Sequence, residues 1–147
     1  ISIYIKTNPP LIHRLPPLSD IYSDHVKLLE GSLQEGQAAL SLQICTDMLN
    51  SHGPSSYIYE KASEAYIQLE KYHQAELSLL HSLALGGLSQ KHFINLVSLS
   101  SMRDDLKLAE YYLSRAAEID PASPFLAKLR DQISTKQNQT CPKFSFN

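Results

Sequence analysis

The sequence predicts an all-α protein built from three stacked helix hairpins closed by a seventh helix. Three observations predict it. Apolar residues recur at helical spacing from Asp20 to about Ile133. Glycine, proline and short polar clusters interrupt these runs at regular intervals. The stretch AYIQLEKYHQAELSLLHSLALGG, 65–87, is echoed 34 residues later by LSSMRDDLKLAEYYLSRAAEIDP, which ends at Pro121.

The first 20 residues differ from the rest. Ile1, Ile3 and Ile5 alternate with polar or amphipathic neighbours, as in a short strand or extended arm. Pro9, Pro10, Pro16 and Pro17 follow; proline fixes φ, lacks an N–H and turns its predecessor away from helix. Residues 1–20 are therefore read as an extended, Pro-rich leader. The helical body is expected over 21–134, in hairpins of about 22–55, 56–89 and 90–123 with a closing helix at 124–134. Val26, Leu29 and Leu33 make the first stripe, and Tyr59, Ala62, Tyr66 and Leu69 the next. Leu79 and Leu83, then Leu96, Leu99 and Met102, then Ala109, Leu113 and Ala116 continue the series. Breaks are expected at Gly36, at Ser51–Pro54, near Glu70-Lys71, at Gly86-Gly87, at Arg103–Asp105 and at Pro121. Ser123 before Pro124 reads as a cap with proline at the first helical position. Phe125, Leu126, Leu129 and Ile133 give the closing helix an apolar face. The tail, 135–147, lacks periodicity and is expected to be loose, with Phe144 and Phe146 as its only large apolar residues.

The hairpins align at a fixed offset. Ala75, Leu79, Ser82 and Gly87 map onto Ala109, Leu113, Ala116 and Pro121, and backward Leu79 and Gly87 map onto Cys45 and Gly53. A period of 34 with helix–turn–helix content resembles the tetratricopeptide repeat (TPR). Tyr59, Ala62, Ser63 and Tyr66 stand at that motif's Trp, Leu, Gly and Tyr places, and Ala75, Leu79 and Ser82 at its Ala, Phe and Ala places. The first copy departs most, with Leu29 where a small residue is usual. The packing reason is general: small residues such as Ser63, Ala75, Ala109 and Ala116 let backbones approach, while Tyr59, Tyr66, Phe93 and Leu113 fill the space beside them. One hairpin cannot bury its apolar face alone, so the resemblance implies a right-handed α-solenoid.

Composition bounds the function. Of 147 residues, 43% are hydrophobic and 19% charged, a globular balance. Thirteen basic against 15 acidic residues, net −2, leave no electrostatic footprint for nucleic acid. No apolar run approaches the ~18 residues a membrane span needs, and the Ile1–Ile5 stretch is too short for a signal peptide. Two cysteines, Cys45 and Cys141, are too few for a disulfide framework, so a cytoplasmic or other reducing intracellular compartment is expected. The sequon Asn138-Gln139-Thr140 is read as a chance triplet.

Little of the sequence looks catalytic, and neither an enzyme, a cofactor nor a metal site is expected. Glu70-x-x-His73 has the i, i+3 spacing of carboxylate-bridged metal bundles, but no second such pair accompanies it. Cys45 has no nearby base and reads as a packed thiol. There is no glycine-rich phosphate loop. Arg14–Leu18, RLPPL, faintly resembles an SH3 ligand but reads better as a linker.

The TPR resemblance implies a groove lined by the first helix of each hairpin. Its register selects Ser23, Val26, Glu30 and Leu33, then Tyr57, Glu60, Glu64 and Ile67, then Lys91, Ile94, Ser98 and Ser101. The expected function is a non-enzymatic scaffold or adaptor for a protein or peptide partner, within a hetero-complex. A dedicated single-client chaperone is the alternative; pentatricopeptide-like RNA binding and a helper domain of a larger enzyme are lesser ones. Chaperone-binding members grip acidic C-termini with a Lys/Asn clamp. Here Val26, Glu30, Glu60 and Glu64 stand where that lining would begin; Lys61, Lys91 and Asn95 are present but do not reproduce the clamp. A neutral, basic or apolar ligand is expected instead.

Overall fold

Seven helices follow one another in a computed structural model that describes residues 18–86 and 89–140. The expected arm and linker over 1–17, Gly87, and the tail from Cys141 through Phe144 and Phe146 lie outside the described residues. The helices are α1 (Leu18–Gln34), α2 (Ala38–His52), α3 (Ser56–Gln68), α4 (Tyr72–Gly86), α5 (Gln90–Met102), α6 (Leu106–Ile119) and α7 (Pro124–Thr140). No strand occurs among the described residues. Consecutive helices pack as α1–α2, α3–α4 and α5–α6 hairpins, with α7 against both α5 and α6. This is the expected all-α repeat array of three hairpins and a closing helix.

The repeat is written into the backbone. Gly36, Glu70 and Asp104 adopt left-handed φ of 74°, 58° and 60°, and they stand 34 positions apart. Past each of them the chain closes the same way. Gln37 N–H donates to Ser32 O, Lys71 N–H to Tyr66 O and Asp105 N–H to Ser100 O, each at 2.9 Å. These bonds satisfy carbonyls that a helix end leaves without partners. The first hairpin, whose sequence departs most from the motif, therefore shares the register of the other two. Side-chain caps start two helices: Ser55 Oγ accepts from Ile58 N–H at 3.2 Å, and an Asp105 carboxylate oxygen from Leu108 N–H at 3.3 Å.

Two apolar interiors result. Leu29, Leu33, Ile44, Met48 and Ile58 form the first, among α1, α2 and α3. Leu79, Phe93, Leu96, Leu113 and Leu126 form part of the second, among α4 to α7. Tyr66 packs against both. Ala75 and Ala109 are each fully buried, in equivalent places one repeat apart. Their counterpart in the first hairpin is Ser41, which satisfies its hydroxyl by bonding Ser32 Oγ at 2.6 Å and Gln37 O at 2.9 Å.

Three details differ from the sequence reading. α1 begins at Leu18, directly after Pro17, ahead of the expected end of the leader at 20. Tyr59 is half-buried, its ring tilted on His81 with centroids 4.9 Å apart. α7 runs to Thr140 rather than stopping at 134. Its last turns have no apolar period; polar contacts hold them instead. Lys136 Nζ donates to Ser101 O and bridges to Asp104, and Gln137 donates to Glu110.

Candidate functional site

The face expected to bind is built by α1, α3 and α5, whose residues meet across neighbouring helices. Tyr57 OH on α3 donates to Glu30 Oε2 on α1 at 2.7 Å. Gln68 Nε2, also on α3, donates to Leu33 O at 2.8 Å. Lys91 Nζ on α5 reaches Glu60 Oε2 on α3 at 2.6 Å. Glu64 pairs with Lys61 at 3.1 Å, and the same ammonium lies 5.5 Å from the centre of the Tyr57 ring. These contacts lace the first helices together side by side.

Their electrostatic consequences are specific. Burial works to raise the Glu60 pKa, but the hydrogen bond and charge of Lys91 outweigh it, so the carboxyl lies below its ordinary range. The hydrogen bond to Glu60, then its charge, raises Lys91 in return. Burial first, then the bond to Glu30, pushes the Tyr57 phenol above its usual range. Beneath this face, burial and then Glu64 push the Cys45 thiol up to about 11, so Cys45 stays protonated at neutral pH.

Of the residues expected to line the face, Ser23, Glu30 and Lys91 are exposed. Val26, Tyr57, Glu60, Glu64, Ile67, Ile94, Ser98 and Ser101 are half-buried. Leu33 is drawn inward to 8% exposure and belongs to the first interior. It still borders a cavity of about 290 Å³ lined by Glu30, Lys61, Glu64 and Gln68. Ser98 Oγ is turned back to Ile94 O at 3.3 Å.

The structure adds a fourth row that sequence reasoning missed. Phe125, Lys128, Gln132 and Thr135 of α7 stand 34 positions after Lys91, Ile94, Ser98 and Ser101. Between α5 and α7 open two cavities. One, of about 430 Å³, is bordered by Lys91, Ile94, Asn95 and Phe125. The other, of about 690 Å³, is bordered by Ser98, Ser101, Lys128, Gln132 and Thr135. Phe125 is 58% exposed. The signal was present in the sequence, because the period that located the first three rows also locates this one. Reading α7 only as a lid hid it.

Acidic residues predominate on the α1 and α3 part of the face, where Glu30, Glu60 and Glu64 stand with Lys61, whereas Lys91 and Lys128 stand with Asp131 on α5 and α7. Among the described residues, no group of three or more His, Cys, Asp or Glu is placed to hold a metal ion. Glu70 and His73 are both exposed, Glu70 in the left-handed turn before α4. No helix among the described residues is long and apolar enough to cross a membrane.

No protein-family model matches the sequence, and no curated protein matches it. Solved structures do. The second TPR domain of human RPAP3, in complex with the HSP70 peptide SGPTIEEVD, matches with a TM-score of 0.67 at 17% identity, covering 75% of this chain and 92% of that domain. The type III secretion chaperone SycD of Yersinia enterocolitica, in complex with a peptide of the translocator YopD, matches with a TM-score of 0.66 at 15% identity, covering 79% and 88%.

Proposed function

Because the chain has the fold of a tetratricopeptide-repeat domain, we propose that it is a non-enzymatic interaction module. It holds a segment of a protein partner along the face of α1, α3, α5 and α7, as a scaffold or adaptor within a hetero-complex. The observation that carries this reading is the face itself: four rows of side chains at one period, with cavities at both ends. Both structural neighbours were solved with peptides, which supports a peptide-like ligand here.

The ligand is neutral, basic or apolar where it meets α1 and α3. Glu30, Glu60 and Glu64 face a carboxylate there, the cations beside them, Lys61 and Lys91, are already engaged with Glu64 and Glu60, and Val26 offers it no donor. Titration of labelled peptides tests this. An apolar peptide carrying lysines at one end binds, and its affinity falls with added salt and with Glu30→Gln and Glu64→Gln together. SGPTIEEVD does not bind in the micromolar range; micromolar binding of that peptide overturns the charge assignment. Failure of every peptide, with no protein co-purifying, overturns the interaction reading as a whole.

The likeness to SycD favours a second reading, a chaperone for a single client. Co-purification separates the two: one stoichiometric unfolded client supports the chaperone, and several folded neighbours support the scaffold. A reducing compartment fits either reading, since Cys45 is buried and unpaired.

A further inference from the structure

We propose that His25 and His52 form a binding site for one divalent transition-metal ion that ties α1 to the last turn of α2. None of the residues assigned to the partner face takes part, so this inference is independent of the proposed function. His25 Nδ1 and His52 Nε2 face each other at 3.3 Å, from positions 27 residues apart. Two imidazole nitrogens bound to one tetrahedral ion at about 2.0–2.1 Å lie about 3.3–3.4 Å apart. The resting fold therefore already holds the two donors at the separation the ion requires.

Neighbouring chemistry supports the assignment. The Tyr22 ring meets His52 edge-on, with centroids 4.9 Å apart and planes at 88°, and holds that imidazole in place. The two imidazoles are themselves crossed at 77°. Both are half-buried, so each is fixed yet reachable by solvent. His25 holds the repeat position that Tyr59 and Phe93 hold in the later hairpins. A histidine thus replaces the aromatic found there in the other copies, and it meets a second histidine.

Among the described residues no third protein ligand joins the pair, so water completes the coordination. Imidazole donors select zinc, copper or nickel over magnesium or calcium. Without metal, one ring donates N–H to the bare nitrogen of the other. The ion takes the place of that proton, which moves to the outer nitrogen of its ring.

Calorimetric titration of the full chain with ZnCl₂ tests the site. The wild type takes up one equivalent. His25→Ala and His52→Ala each weaken uptake by about tenfold or more, and His73→Ala leaves it unchanged. Substoichiometric Ni²⁺ gives a readout that needs no variant. It broadens the ring resonances of His25 and His52 before those of the other four histidines. Absence of uptake, uptake indifferent to both substitutions, or earlier broadening of another histidine overturns the proposal.

Discussion

Glu76 shows how much one residue can carry. It sits on α4 at 5% exposure, with one carboxylate oxygen on the Arg103 guanidinium and the other accepting from Tyr112 OH at 3.0 Å. Burial, then the bond to Glu76, raises the Tyr112 phenol well above its usual range. The carboxylate thus joins α4, the end of α5 and α6 through charge-assisted bonds. Glu76→Ala leaves Arg103 without its counter-charge and is expected to cost about 3 kcal/mol in a denaturant melt. A loss below about 1 kcal/mol would show that the network contributes little. At this scale the small residues were legible in the sequence, because Ala75 and Ala109 follow from size and period alone. Glu76 was not. A lone acid in a helical run reads as solvated, and its two partners lie 27 and 36 positions away.

The hairpin is the next scale, and its turn is the most repeated feature of the chain. Glycine meets the left-handed requirement at position 36, whereas Glu70 and Asp104 meet it with a Cβ in place. That conformation costs an L-residue about 1–2 kcal/mol, against roughly 0.5–1 kcal/mol for the extra freedom glycine brings to the unfolded chain. Glu70→Gly should stabilise by about 0.5–1 kcal/mol, Asp104→Gly should stabilise less because it also removes the bridge to Lys136, and Gly36→Ala should destabilise. Thermal melts of the three variants read the signs directly. Between hairpins, the Glu60–Lys91 bridge makes a pH prediction. The folded pKa of Glu60 lies below its ordinary 4.5, so its contribution is present above that value and is lost as pH falls through the lowered one. Lys91 is raised, so its share is present below its ordinary 10.5 and fades only as pH rises through the raised value. Carboxyl-carbon NMR should place the Glu60 midpoint below 4.5. In Lys91→Met the midpoint moves up, since burial then opposes ionisation with less compensation. An unmoved midpoint would break the assignment. Turn positions were readable from Gly36, Glu70-Lys71 and Asp104-Asp105. The ladder of pairs from α1 to α5 was not, because side-chain pairing depends on how neighbouring hairpins lie against each other.

For the whole molecule, the repeat was legible and its end was not. Period, small-residue places and helix breaks all survive in the structure, whereas the polar turns of α7 beyond 134 gave no periodic sign. That helix is held by Leu126, Leu129 and Ile133 on the second interior. Burying each such side chain contributes about 1.5–3 kcal/mol, so removing residues 124–147 is expected to cost roughly 5 kcal/mol or more and to expose an apolar face. Equilibrium unfolding of the shortened chain checks this, and an unchanged midpoint would deny α7 its closing role. The identical turns at Gly36, Glu70 and Asp104 have a further consequence. Matching turns set the two helices of each hairpin in one relation, and packed helices are about 8–10 Å apart. An extended chain advances about 3.3 Å per residue and a polyproline helix about 3.1 Å. If the proposed partner segment crosses the face as an extended strand, one helix width spans roughly three of its residues, so guest side chains about three apart would meet successive helices.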